Sequence, residues 1–285
     1  MGPLVGGGWP RRGQARSAAA EAQQATYGPG TDYVAGSPHL AHPQLHSWIL
    51  GRMRGLAGAA SVRPGQLRIL EVGGGHGTFT EYLADMGAEV TVTEISKASA
   101  DVLAQRFRRS AAVHVMYDLN GEAIFDLPAD FDVVFCISVL HHIPDYLQFV
   151  ARLSQLVRTG GSLAAYQDPD WYPHRRRRDS LADRAAYFAW RATQGNLQAG
   201  ARTRLRRMRG RLDESLAADM TEYHVVRQGV DDLALAGLLR SSFGEVELHR
   251  YWSTHAGLLQ RLGEHLGMRN TFGIEATNRR GGGDR

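Results

Sequence analysis

The apolar positions of this chain switch repeatedly between two rhythms. Short, nearly unbroken apolar runs occupy 67–72, 88–94, 113–118, 131–140 and 162–168, and each reads as a buried strand. Between them, apolar residues fall three or four apart. In 43–58, Leu45, Trp48, Ile49, Met53 and Leu56 share one helical face behind Pro43, a first-turn residue. The segment 78–87 ends at Gly87, which suits a helix stop. In 96–110, Ser96 is placed to cap the N-terminus, and 145–158 runs into Thr159, Gly160 and Gly161. Strands alternating with helices at this spacing predict an α/β fold, a parallel sheet with helices on both faces.

The alternation breaks over 171–222, which is helical in pattern, rich in arginine and without a strand signal. It resumes with a helix at 229–241, a strand at 245–252, a helix at 255–266 and a strand at 271–278, for seven predicted strands in all. The interruption follows the fifth strand, near the carboxyl ends where open α/β sheets bind ligands, and it reads as a helical cap insertion. The expected organisation is a flexible segment and lid over 1–36, a core over 37–170, the cap over 171–222, the rest of the core over 223–280 and a disordered tail over 281–285.

With 285 residues, 43% of them apolar, the chain can build one large core with an insertion. The single cysteine, Cys136, excludes an internal disulfide and a cysteine metal cluster. No run approaches the ~20 apolar residues of a membrane helix. Residues 1–24 lack a signal-type apolar segment, and Gly6 stands where myristoylation wants Ser or Thr. These features predict a cytoplasmic protein with no membrane partner. The net charge is +4, and Lys97 is the only lysine. Arginines cluster at 175–178 and 202–211, a pattern that suits nucleic acid or an acidic substrate, or else a solvated helix face paired to Asp179, Asp183, Asp213 and Glu214. The second reading is the expectation.

Four glycines crowd "EVGGGHGTF". The dinucleotide fingerprint G-x-G-x-x-G fails here, because Gly73 and Gly75 are followed by Thr78 in the third place. The frame E-x-G-x-G-x-G fits, with Glu71, Gly73, Gly75 and Gly77. It resembles motif I of the class I S-adenosylmethionine (SAM)-dependent methyltransferases. Further motifs follow in the family's order: Glu94 at the end of the second strand, "YDL" at 117–119, "FDVVFCISVLHHIPD" at 131–145, "LVRTGGSLAA" at 156–165 and the closing "LGMRNTFGIEA". The resemblance covers roughly residues 30–280 apart from the insertion.

The resemblance implies a Rossmann-like, seven-stranded, mostly parallel sheet with SAM as cofactor and S-adenosylhomocysteine (SAH) as product. Gly73, Gly75 and Gly77 would let SAM lie on bare backbone. Glu94 would accept both ribose hydroxyls, a pairing that alone would also suit NAD. Asp118 would hold the adenine amino group, with Ile95, Leu119 and Ser138 in the same cleft. Tyr33 and Tyr27 would fold over the cofactor as part of an entrance lid with His39, His42 and His46. Those histidines, three and four apart, also suggest a metal face, but no carboxylate or cysteine joins them, and no metal is expected. Glu71 has a structural role in the family, hydrogen-bonding backbone near the loop.

Methyl transfer aligns nucleophile, methyl and sulfur, and a protic nucleophile must also lose its proton. His141 and His142 end the fourth strand, and His141 is the preferred base. His142 would point the other way if the strand continues, and would pack or brace the loop. The alternative is that both pack or hold the loop to Asp145. Tyr166, Gln167, Asp168 and Trp171 lie past strand five and are expected to contact the acceptor, with Trp190 from the cap. Some family members carry an acid at the place of Gln167, so a histidine–acid pair here depends on Asp168. "DPDW" at 168–171 differs in place and in its single proline from the motif of nucleic-acid amino methyltransferases, which argues against a nucleic-acid partner. Tyr172, Tyr187, Phe188, Trp190 and Tyr223 suit an aromatic or lipophilic small-molecule acceptor, such as a bacterial secondary metabolite. The rival readings are an RNA or protein methyltransferase, a pericyclic or cyclising enzyme on the same fold, and a catalytically silent partner. A homodimer is compatible with all of them.

Overall fold

The computed structural model describes residues 37–60, 65–193 and 228–281. A helical turn, Pro38–Ala41, leads into α1 (Pro43–Ala60). Then come β1 (Arg68–Val72), α2 (Thr78–Asp85), β2 (Glu89–Glu94), α3 (Lys97–Phe107), β3 (Val113–Tyr117) and β4 (Phe131–Ile137). They are followed by α4 (Tyr146–Leu156), β5 (Val157–Pro169), α5 (Arg177–Thr193), α6 (Asp232–Arg240), β6 (Phe243–Tyr251), α7 (Gly257–His265) and β7 (Thr271–Arg279). The seven strands form one sheet in the order β3-β2-β1-β4-β5-β7-β6. The pairs from β3 to β5 are parallel, and β7 runs antiparallel to both of its neighbours. The predicted mostly parallel, seven-stranded sheet is the one observed. The strand order reverses between β1 and β4, which opens a crevice at their carboxyl ends.

Alternation along the strands sorts side chains onto two cores. Ile69, Val133, Phe135, Ala164 and Tyr166 meet α1 and α2 through Ile49, Met53, Phe79 and Leu83. Leu70, Val72, Val134, Cys136, Leu163 and Ala165 meet α4 and α6 through Phe149, Leu153, Leu235 and Leu239. Central strands buried on both faces explain the unbroken apolar runs. On the α1 face, Arg52 Nε donates to Glu275 Oε1 at 2.6 Å and Tyr166 OH donates to the same oxygen at 2.7 Å. Burial opposes ionisation of Glu275, yet hydrogen bonds from His249, Arg52 and Tyr166 pull its pKa down to about 2.

Two strand boundaries beside the crevice differ from the sequence reading. Strand four stops at Ile137, three residues early, because Ser138 takes a left-handed φ of 60° and Leu140–His142 form a 3-10 turn. Strand five starts at Val157, directly from α4. Of the cap, α5 is described. Residues 194–227 lie outside the described residues, as do 1–36 with Tyr27 and Tyr33, and the second arginine cluster. The first cluster is local structure. Arg175 is buried over the Tyr172 ring, with Nε 2.7 Å from Asp170 and Nη1 3.0 Å from Asp183. Arg176 pairs with Asp179 at 2.6 Å and donates to the Gly267 carbonyl at 2.8 Å. Among the described residues no helix is long and apolar enough to cross a membrane.

Candidate active site

The glycine loop lies between β1 and α2 at the mouth of the crevice. Gly75 has φ 56° and Gly77 has φ 86°, conformations that side chains with a Cβ resist. Gly77 also has no room for one, since a Cβ there would sit 2.6 Å from Phe107 of α3. Gly74, a free position in the sequence frame, is equally constrained, with a Cβ there 2.3 Å from Val92. At Gly73 a Cβ would meet Val139 at 2.8 Å, so the turn after β4 presses directly on the loop. Only the last of these contacts connects the loop to the reacting end.

Glu94 is buried at the tip of β2. Its Oε2 accepts from Gly75 N–H at 2.9 Å and its Oε1 from Ser96 N–H at 2.9 Å. Burial raises its pKa, and the N–H groups of Ser96, Gly75 and Ile95 oppose the rise. A carboxylate has about four acceptor sites, so each oxygen keeps one for a ribose hydroxyl. Asp118 accepts three backbone N–H groups, from Glu122 at 3.1 Å, Ala123 at 3.2 Å and Ile124 at 2.9 Å. It therefore builds the loop after β3. Leu119 beside it is 51% exposed, an open apolar surface where a flat base would lie. Ile95 and Ser138 are half-buried at the strand ends. Glu71 differs from the family expectation in its partner, because the Thr80 hydroxyl donates to its Oε2 at 2.6 Å. Burial pushes Glu71 up to about 7.

At the ends of β4 and β5, His141 meets Asp168. The backbone N–H of His141 donates to Asp168 Oδ1 at 3.0 Å, and His141 Nδ1 lies 2.8 Å from the same oxygen. Asp168 is fully buried, and the His141 side chain is 12% exposed. The acid that sequence reasoning needed is present, and a β-bulge puts it there. Tyr166 pairs with Gly273 but Asp168 pairs with Phe272, so Gln167 is an extra residue in β5, with φ 67°. Without the bulge, Asp168 would share the α1 face with Tyr166. With it, Asp168 joins the face of Cys136, whose thiol is pushed up by burial and by the charge of Asp168.

The residues expected to contact the acceptor are placed as follows in the fold. Tyr166 is fully buried on the α1 face with its hydroxyl on Glu275. Gln167 is buried too. Its Nε2 donates to Ser253 Oγ at 2.6 Å and its backbone N–H to Tyr251 OH at 2.9 Å. Asp168 touches His141 rather than solvent. His142 does not point away from His141. The strand has ended, and the two rings lie 3.9 Å apart within one turn. Trp171 is half-buried just before the 3-10 turn Tyr172–His174, and Trp190 of α5 stacks on His255 with centroids 4.5 Å apart. His255 had no motif to mark it.

Histidines 39, 42 and 46 do not form a metal face. His42 Nε2 lies 2.7 Å from the Thr254 carbonyl and His46 Nδ1 lies 3.2 Å from the His39 carbonyl. Among the described residues, the one close group of ligating side chains is Glu247, His249 and Glu275, and the Arg52 guanidinium holds both carboxylates.

A family model for methyltransferase domains matches residues 70–163. The chain is 33% identical over 127 residues to the ubiquinone biosynthesis O-methyltransferase of Pseudomonas fluorescens, an alignment covering 44% of this chain and 50% of the relative. The protein of the same name from Leptothrix cholodnii is 32% identical over 128 residues, covering 43% and 50%. The chain thus spans about half the length of the curated relatives it matches. The fold is shared with a SAM-bound magnesium protoporphyrin IX methyltransferase from Synechocystis, at a TM-score of 0.50 and 13% identity, over 96% of this chain and 100% of that one. The strand order, the glycine loop and its acidic partners define a SAM-type methyltransferase sheet. Over residues 70–163 the chain is similar to methyltransferase domains, and its sheet has the fold of the SAM-dependent methyltransferases.

Proposed function

We propose that the protein moves the methyl group of SAM to a protic atom of a small-molecule acceptor. The His141–Asp168 pair carries this reading. An ionised Asp168 accepts from Nδ1–H, and that tautomer leaves Nε2 as the proton acceptor. The acceptor's O–H or N–H bond gives way to a bond to carbon, the S–CH3 bond breaks to leave the neutral thioether of SAH, and the proton passes to Nε2. SAM supplies the activated methyl. The chain's own residues hold the ribose at Glu94, border the adenine at Asp118 and Leu119, and orient the base.

Oxygen is the favoured nucleophile, because the curated relatives are O-methyltransferases. An aromatic or lipophilic acceptor of the kind found in secondary metabolism fits the ring-rich face of α5, where Tyr187, Phe188 and Trp190 adjoin one another. The local pairing of Arg175 and Arg176 supports a small molecule over a nucleic acid. The test is SAH release from SAM with a panel of phenols and catechols, alongside calorimetry with SAH. The proposal expects SAH binding, and turnover that collapses in His141→Ala. Absence of SAH binding, or full turnover in that variant, defeats it.

A further inference from the structure

α7 is an amphipathic helix seated the wrong way round. A surface helix normally turns its apolar stripe to the core. Here the inward positions are Gln260, 2% exposed, and Gly263. Gln260 Nε2 donates to the Trp252 carbonyl at 2.8 Å, and its Oε1 accepts from Thr254 N–H at 2.8 Å. A Cβ at Gly263 would sit 2.3 Å from the Trp252 ring, whose Nε1 donates to the Leu259 carbonyl at 3.0 Å. These contacts fix the rotation of the helix. Leu258, Arg261, Leu262 and His265, at i, i+3, i+4 and i+7, point outward, and all four are exposed. Leu258 is 85% exposed and Leu262 52%, and Leu266 just past the helix is 48% exposed.

α5 lies alongside. Arg176 and Arg178, at its start, donate to the Gly267 carbonyl just after α7, at 2.8 and 3.4 Å. Trp190, near its end, stacks on His255 just before α7. The two helices are therefore antiparallel neighbours. α5 repeats the outward pattern, with Leu181 64% exposed and Arg177, Arg178 and Arg184 exposed within one turn of it. The acids of both helices are engaged elsewhere. Asp179 accepts from Arg176 at 2.6 Å, Asp183 from Arg175 at 3.0 Å and from Asn270 at 2.9 Å, and Glu264 from Gln260 at 2.8 Å. The surface left facing out is aliphatic and cationic.

We propose that the α5–α7 face lies on an anionic lipid surface. Leu181, Leu258 and Leu262 enter its apolar layer, and Arg177, Arg184 and Arg261 meet headgroup phosphates. Charge selects this occupant over a second copy of the chain, which would set arginine against arginine across a two-fold axis. Composition selects it over an acidic protein, because protein interfaces centre on aromatic side chains and the large exposed apolar groups here are leucines. Among the described residues no helix can cross a bilayer, but a helix lying in the interface needs no such length. The contact does not depend on the methyl-transfer reading, and its test needs no turnover.

The probes are vesicles of phosphatidylcholine alone and of phosphatidylcholine mixed with phosphatidylglycerol, co-sedimented with the full chain. Binding to the mixed vesicles should exceed binding to the neutral ones at least about tenfold at low salt, and should fall as salt rises. Leu258→Ser combined with Leu262→Ser should lower it by about tenfold or more, with an unchanged melting temperature because both side chains are exposed. If that variant unfolds, Arg184→Gln combined with Arg261→Gln reads the same face, with a similar loss and a flatter salt dependence. Equal binding to the two vesicle types, including none to either, overturns the proposal. So does full binding in the leucine variant, since charge alone would then hold the protein. A wild type that dimerises in sedimentation equilibrium, with a leucine variant that does not, would give the face to a second copy and overturn it as well.

Discussion

The two halves of the crevice are built in different ways. On the β1–β3 side, the acids bond to backbone N–H groups between 2 and 19 positions away. Glu94 holds Ser96 and the glycine loop, and Asp118 holds residues 122–124. On the β4–β7 side the partners come from afar. His141 meets Asp168 across 27 positions, and His42 meets the Thr254 carbonyl across 212. The first half offers carboxylates and bare backbone, suited to hydroxyls and amino groups. The second offers imidazoles and aromatic faces. A ligand seen by one half has little purchase on the other, so a change in acceptor preference need not disturb the cofactor.

The sharpest test of that separation is His141→Ala. Turnover should fall by about 10²–10⁴-fold while SAH affinity stays within about twofold, since no cofactor group needs the imidazole. Equal losses in both would merge the two halves into one unit. Next in size is Gln167→Val. A β-branched residue resists the φ of 67° found there, so the bulge should relax and swing Asp168 away. Turnover should drop by up to roughly 10²-fold, and the ¹⁵N shifts of the His141 ring should show loss of the Nδ1–H tautomer. Gln167→Gly adopts the same φ freely and should keep that tautomer. An unchanged His141 spectrum in Gln167→Val would remove the bulge from the mechanism.

On the cofactor side, Glu94→Ala should weaken SAH by about 1.5–3 kcal/mol, roughly ten- to a hundredfold, with acceptor-side probes unaffected. Calorimetry decides it, and wild-type affinity in the variant would leave the ribose assignment without support. The smallest effect is on stability. Glu71 has a folded pKa of about 7, above the ordinary carboxylate value. A raised acid favours the fold fully below its unfolded pKa, and that contribution is lost as pH rises through the folded one. The wild type should therefore lose up to about 2–3 kcal/mol between about pH 4.5 and pH 8, through this one group. Glu71→Gln keeps an acceptor for Thr80 and should flatten that part of the profile in urea melts. An identical slope in both proteins would contradict the burial of a proton on Glu71.

Legibility in the sequence follows the same division. Val133 and Val134 face opposite cores, yet both are buried, and that is why their strand reads as one apolar run. The glycine frame was legible because Gly73, Gly75 and Gly77 all take a left-handed φ, a demand set by each residue's own backbone. Gly74 escaped notice since its constraint comes from Val92, on another strand. The histidine turn was found but misdrawn. Nothing in "SVLHHIP" marks the left-handed Ser138 that ends β4 early and brings both rings together.

By itself the sequence determined the alternation of strands and helices, the loop that admits a ligand at β1, and the acids that face it. These depend on periodicity, on the backbone conformation of single residues and on contacts at most 19 positions apart. Tertiary structure alone decided that Asp168, not a residue at the place of Gln167, serves His141. One extra residue in β5 turns that side chain to the other face, and the bulge is held by Tyr251 at the end of β6 and by Ser253 just after it, both much later in the chain. It also decided that His42 meets the Thr254 carbonyl and that Trp190 stacks on His255. Long-range sheet pairing and the seating of α1 bring them together, and no local pattern encodes a distance between segments that meet only after folding.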